Sequence, residues 1–188
     1  MSQRNVRPYA LKFWHRPGAV LLSLFETKSG HELALFVGAF FGFVQALPVY
    51  LNTEGVVLPI LIAGLLLGLV GIYFFSWLLR NFARWFGGQA TLYEVRTALG
   101  LGLLPWTILF FFMMPLQNGM ADEGAVNQLY WIFFVFFVYG YVILLLSLSA
   151  ALRLSPIKTF LCMAVTFLVS LFPLSLVAQL LMQGLESL

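Results

Sequence analysis

The sequence predicts an all-α integral membrane protein: a five-span transmembrane helical bundle with a short N-terminal cytoplasmic interfacial helix. Three observations predict it. The 188 residues are 62% hydrophobic and 9% charged, against roughly 25% charged in water-soluble domains, so little polar material is left to cover a water-facing surface. Five apolar stretches approach or exceed the ~20 residues that a helix needs to cross the hydrocarbon core, at about 33–51, 56–79, 98–116, 129–152 and 159–182. Cutting the chain into those spans places every Lys and Arg on one side. Lipid offers the backbone no hydrogen bonds and no alternating pattern marks barrel strands, so the spans are helices.

The charge segregation is detailed. Arg4, Arg7, Lys12, Arg16 and Lys28 precede the first span, Arg80, Arg84 and Arg96 fall between the second and third, and Arg153 and Lys158 between the fourth and fifth. The opposite connections and the C-terminal end carry Glu54, Asp122, Glu123 and Glu186 with no Lys or Arg. Shifting the span count by one destroys this pattern, so the charges support five spans independently of hydropathy. The positive-inside rule then puts the N-terminus in the cytoplasm and the C-terminus outside.

Residues 1–32 read as a cytoplasmic segment and 33–188 as the membrane domain. The apolar piece GAVLLSLF is short for a signal sequence, its basic leader is long, and no small-x-small site follows before Glu26. It reads instead as an interfacial helix opened by Pro17, which occupies a first turn without losing a hydrogen bond. Phe13, Trp14, Leu21 and Phe25 are expected to dip into lipid while Arg16 and Lys28 stay at the headgroups. The first span follows, closed by a tight turn at Asn52–Gly55. The second runs to Arg80 and Arg84, one helical turn apart, whose long side chains snorkel to the interface.

Between the second and third spans lies ARWFGGQATLYEVRTALG. Gly87 and Gly88 read as a helix stop, since glycine enters the left-handed conformation without steric penalty. Thr91 and Glu94 match a capping box, with the Thr hydroxyl bonding the Glu94 amide and the Glu94 carboxylate reaching back to the Thr91 amide. A new helix therefore starts before the chain enters the membrane near Ala98. Asn118 to Gln128 reads as a polar loop. At Arg153-Leu-Ser-Pro-Ile-Lys158, Ser155 is the expected N-cap and Pro156 the first residue of the last helix.

Within the spans, Gly38 with Gly42 and Gly64 with Gly68 have the spacing that lets helix backbones approach closely, here within one chain. Pro48, Pro105, Pro115 and Pro173 are tolerated kinks. Gln45 and Gln179 are the main intramembrane polar groups, with Ser147, Ser149 and Thr166, and interhelical hydrogen bonds are their expected use. No Asp, Glu, Lys, Arg or His lies deep in a span, where a charge usually marks an ion or proton path. That argues against a proton-coupled pump. The single cysteine, Cys162, leaves no disulfide or thiolate cage and reads as a small hydrophobe. His15 and His31 are isolated, and no H-E-x-x-H, G-x-S-x-G or P-loop occurs. No catalytic residue, metal ligand or cofactor is expected.

The Gly87-Gly88 pair after a basic-aromatic helix end, Thr91 opening a helix, Arg96, the Ala98-Leu99-Gly100 step and Pro105 resemble the Yip (Ypt-interacting-protein) superfamily in its compact bacterial members. Trp14 followed by Arg16-Pro17-Gly18, and Ser155 leading into Lys158, are similar to its other landmarks. The resemblance covers nearly the whole chain and implies five spans in an inner membrane. Eukaryotic relatives carry a long cytosolic N-terminal region with an aspartate-leucine-x-glycine-proline-like element used in trafficking. This chain has no match to it, so a Rab-linked role does not carry over.

The expected function is that of a non-enzymatic membrane organiser or adaptor. Its cytoplasmic loops (Arg80, Arg84, Gly87, Gly88, Thr91, Glu94, Arg96, Arg153, Ser155 and Lys158) would meet anionic headgroups, protein partners or a second copy. A net charge of +3, dispersed along the chain, gives no nucleic-acid footprint. The alternative is a small transporter or channel with a path among the proline-kinked spans beside Gln45.

Overall fold

The computed structural model describes residues 12–51, 58–117 and 123–186, and among them every regular element is an α-helix. In chain order these are α1 (Pro17–Glu26), α2 (His31–Leu51), α3 (Leu58–Trp85), α4 (Leu92–Gly102), α5 (Leu104–Gln117), α6 (Glu123–Leu152) and α7 (Pro156–Glu186). Five stretches are long and apolar enough to cross a membrane, with α4 and α5 together making the third. Arg4, Arg7, the Asn52–Gly55 turn and Asp122 lie outside the described residues.

The helices outrun the apolar stretches. The second span continues to Trp85, the third begins at Leu92, and α6 already starts at Glu123, so residues 123–128 are helical and not loop. Hydropathy marks where the chain is greasy, whereas caps and glycines mark where a helix starts and stops. At 28, 30 and 31 residues, α3, α6 and α7 are about 42–46 Å long, more than the ~30 Å hydrocarbon core. Their ends project, and the projecting end that α3, α6 and α7 share carries the basic residues.

The third span is interrupted at Leu103. Its amide is shared between the carbonyls of Leu99 and Gly100, at 3.1 and 3.2 Å, and Pro105 follows with no N–H to give. Leu103 itself stays right-handed (φ −77, ψ −12), so the chain continues onward as α5, and the Thr107 amide bonds the Leu103 carbonyl at 2.9 Å. Pro48 and Pro173 lie inside α2 and α7, which continue through them.

Glycines set the helix spacing. A Cβ on Gly42 would lie 2.2 Å from the Gly64 carbonyl, and one on Gly68 would lie 2.3 Å from the Gly38 carbonyl. The two predicted small-residue motifs therefore pack on each other, α2 against α3. Gly100 makes a third close approach, with its Cβ position 2.3 Å from the Ala34 carbonyl, which joins α4 to α2. Gly140 leaves room for Trp106, whose indole N–H donates to the Phe137 carbonyl at 3.1 Å and ties α5 to α6.

The apolar core is concentrated in the half near the basic end, where Leu21, Ala34, Leu79, Ala83, Val95, Ala98, Leu148, Leu152 and Cys162 are buried together. In the opposite half, α6 and α7 are exposed through Trp131, Val135, Phe167 and Phe172. The buried core thus lies toward the basic end, while α2 and α3 stay in close contact farther along at Gly42 and Gly64.

One expectation for α1 is corrected. Phe13 and Leu21 are buried in this core and not presented to lipid. The helix lies along α6, with Gly18 against Ala150 and Trp14 stacked on Tyr139, whose hydroxyl donates to the Trp14 carbonyl. The neighbouring helix offers a closer apolar partner than lipid, and Gly18 permits the approach.

Candidate functional site at the basic end

Three helices end here in the same way. After α3, the Gly88 amide bonds the Ala83 carbonyl at 2.8 Å and the Gly87 amide the Arg84 carbonyl at 3.1 Å, with Gly87 left-handed (φ +86). That is the Schellman stop. After α1, Ser29 bonds back to Leu24 and Lys28 to Phe25, with Lys28 left-handed (φ +48). After α6, Leu154 bonds back to Ser149 across a left-handed Arg153 (φ +55). The two non-glycine stops are strained by roughly 1–2 kcal/mol each, and sequence reading missed both. Gly88 is fixed by packing, since a Cβ there would sit 3.0 Å from Ala83 and 3.1 Å from the Leu152 carbonyl.

The capping box forms as the spacing predicts. The Glu94 amide donates to the Thr91 hydroxyl at 3.2 Å, and Glu94 Oε2 accepts from the Thr91 amide at 2.7 Å and from its hydroxyl at 2.8 Å. Glu94 is 8% exposed. Its other oxygen, Oε1, takes Nη2 of Arg153 at 2.8 Å, while Nη1 of Arg153 donates to the Gln89 carbonyl at 3.2 Å. Nε of Arg80 donates to the Ala90 carbonyl at 3.4 Å. Arg80 on α3 and Arg153 just past α6 thus hold the segment between the Gly87-Gly88 stop and the Thr91 cap. The one available signal for the Glu94–Arg153 pair was that both residues flank connections on the same side.

Arg96 lies over the Tyr73 ring at 4.6 Å. Beside it, the Thr97 hydroxyl and His31 Nδ1 are 3.4 Å apart, His31 and Tyr93 are in ring contact, and the Tyr93 hydroxyl donates to the Ser29 carbonyl at 3.4 Å. His31, expected to be isolated, joins the start of α2 to α4. Pro156 opens α7, and Ser155 Oγ accepts from the Lys158 amide at a long 3.5 Å.

Of the ten residues predicted for this surface, Arg84 and Lys158 are the exposed basic ones whose side chains make no contact described above. Each has an exposed apolar neighbour in sequence: Trp85 is 76% exposed and Ile157 75%. The helices carrying them touch, since Cys162 Sγ lies 3.5 Å from the Leu79 carbonyl. Trp85 is six residues beyond Leu79, and Ile157 five before Cys162 in the antiparallel partner, so at 1.5 Å per residue both stand about 8–9 Å nearer the basic end. Arg84, Trp85, Ile157 and Lys158 are all exposed, at nearly one level of the two helices.

The intramembrane polar residues depart from expectation. The Ser149 hydroxyl donates to the Leu154 carbonyl and the Thr166 hydroxyl to the Cys162 carbonyl, both locally. Ser147 Oγ is buried without a partner. Gln45 and Gln179 are exposed on α2 and α7. Short hydroxyl side chains reach nearby backbone carbonyls more readily than another helix. Among the described residues no group of three or more His, Cys, Asp or Glu could hold a metal.

A family model described as the Yip1 domain matches residues 12–177. Comparison with curated proteins and with solved structures gave no match. The matched range runs from the turn before α1 into α7 and includes every contact of the basic end described above. Gly88, Thr91, Ala98, Leu99 and Gly100, which carried the resemblance in sequence, are here a packed stop, a cap, two buried positions and a close helix approach. With its five apolar spans and a family match over most of its length, the chain belongs to the Yip family and is a multi-pass membrane protein of Yip type.

Proposed function

We propose that the chain is a non-enzymatic membrane organiser or adaptor whose basic end faces the cytoplasm of a bacterial cell from its inner membrane. There it binds an anionic surface, either lipid headgroups or an acidic protein face. The observation that carries this reading is the exposure of Arg84, Trp85, Ile157 and Lys158 at nearly one level, beside helix ends tied through Arg80, Glu94 and Arg153. Tryptophan beside arginine suits the membrane–water boundary, and basic side chains near an anionic leaflet gain about 1 kcal/mol each. The ties among Arg80, Glu94 and Arg153 hold the neighbouring segment in place, which lowers the ordering cost of such an encounter.

The test is an Arg84→Gln, Lys158→Gln double variant in nanodiscs of mixed anionic and zwitterionic lipid, with bound lipid counted by native mass spectrometry. Partners crosslinked in native membranes are counted in parallel. The variant should lose most of the anionic enrichment or its protein partners while melting at the wild-type temperature. Retention of both would reduce the basic end to a topology signal. A liposome flux assay addresses the transporter alternative, for which solute passage in the purified protein would be the required result.

A further inference from the structure

In the half of the molecule away from the basic end, a groove of about 680 Å³ opens beside the α2–α3 crossing and reaches the break between α4 and α5. Gln45, Ala46, Ala63, Gly71, Leu103 and Trp106 are among its walls. Its volume falls in the range of sites that hold small molecules, roughly 300–1,000 Å³. The fold explains the opening. Gly42 and Gly64 bring the two backbones together with no side chain to fill the flank, and a Cβ on Gly71 would meet nothing within 4 Å.

The groove combines an apolar lining with one polar side chain in a membrane span. Gln45 is exposed, and no described residue hydrogen-bonds its amide. In hydrocarbon an amide without a partner is costly, so the matching occupant is apolar along most of its length and carries a hydrogen-bonding group at this depth. The depth is set by α2. Its 21 described residues make about 31 Å, close to the ~30 Å of the hydrocarbon core, and Gln45 lies about 9 Å before Leu51, the last of them. A glutamine there reaches toward the ester layer of the leaflet opposite the basic end. The occupant chemistry is that of the surrounding solvent itself.

We propose that the groove is a binding site for a glycerophospholipid of that leaflet, one acyl chain lying along α2 and α3 toward Leu103 and an ester carbonyl accepting from the Gln45 side-chain amide. The site lies in the opposite half from Arg84 and Lys158, so it stands or falls independently of the function proposed above.

The test uses the full chain in nanodiscs doped with a phosphatidylcholine carrying a diazirine on its acyl chain, with crosslinks mapped by mass spectrometry. Labelling should concentrate at Ala46 on α2 and at Ala63 and Leu67 on α3, at least five-fold over Ile62 and Val70, which are exposed elsewhere on α3. Gly71→Phe fills the groove at a position with open space and improves helix propensity. It should cut groove labelling at least five-fold with no fall in melting temperature. Should it melt lower, Ala63→Phe on the exposed wall makes the same test. Gln45→Leu should keep the acyl labelling but lose the preference for ester-linked over ether-linked competitor lipid. Uniform labelling of all lipid-facing residues, or unchanged labelling in a well-folded groove-filled variant, would each overturn the proposal.

Discussion

Glu94 and Arg153 meet across 59 positions of sequence, and the same carboxylate closes the capping box of α4 with its second oxygen. One side chain therefore fixes where α4 starts and ties that start to where α6 stops. Both charges also suit the helix dipoles, an anion in the first turn of α4 and a cation just past the last turn of α6.

Glu94→Ala should lower stability by about 2 kcal/mol, with about 1 from the lost cap and at most about 1 from an ion pair whose arginine is half exposed. Arg153 separates the tie from the strain. Arg153→Ala loses the pair and keeps a left-handed non-glycine residue, whereas Arg153→Gly loses the pair but relieves roughly 1–2 kcal/mol of strain. Thermal unfolding in detergent should place Arg153→Gly near wild type and Arg153→Ala clearly below it. The reverse order would show that the left-handed assignment is wrong.

Gly42→Leu and Gly100→Ala should both destabilise, by about 1–3 kcal/mol or more. The atoms facing each missing Cβ include backbone of another helix, so a whole helix has to move. Scanning fluorimetry on the five native tryptophans reads the loss. Unchanged melting of both variants would mean that α2 packs elsewhere.

The span count, the small-residue crossing of α2 and α3, the Gly87-Gly88 stop and the Thr91/Glu94 cap were legible because each rests on a local rule: apolar length, residue size, or spacing of three. What was not legible depends on pairs far apart. Nothing local links Glu94 to Arg153, and a left-handed Lys28 or Arg153 violates the preference that a sequence reader applies. Phe13 and Leu21 look the same whether they enter lipid or a neighbouring helix, because both are apolar. The groove beside Gln45 is a property of two helices pinched together by glycines, and no periodicity in one helix reports an empty flank.

Gly87 and Gly88 look alike in sequence but should respond differently. Gly87 needs a positive φ and has open space around it, so Gly87→Asn, which tolerates that conformation, should cost less than Gly87→Val. Gly88 is limited by contact with Ala83 and Leu152, so Gly88→Asn and Gly88→Val should both lower the melting temperature. If asparagine rescues both positions equally, the limit at Gly88 is conformational and the packing argument there fails.

The last prediction concerns the broken third span. A break at Leu103 before a proline is compatible in principle with a chain that turns back to the side it came from. The backbone argues otherwise. Leu103 remains right-handed, and its amide and carbonyl bond backward to α4 and forward to Thr107, so the axis continues. The exposed basic residue before α4 and the first residue of α6 should then lie on opposite sides of the membrane. In a Cys162→Ala background, which removes a single buried thiol, single cysteines replace Arg84 and Glu123. If the basic end faces the cytoplasm as proposed, a membrane-impermeant maleimide added to intact cells should label Glu123→Cys, and should label Arg84→Cys only after permeabilisation. Labelling of both from the same side would make α4 and α5 a re-entrant pair, and labelling of Arg84→Cys alone in intact cells would invert the orientation on which the proposed cytoplasmic surface depends.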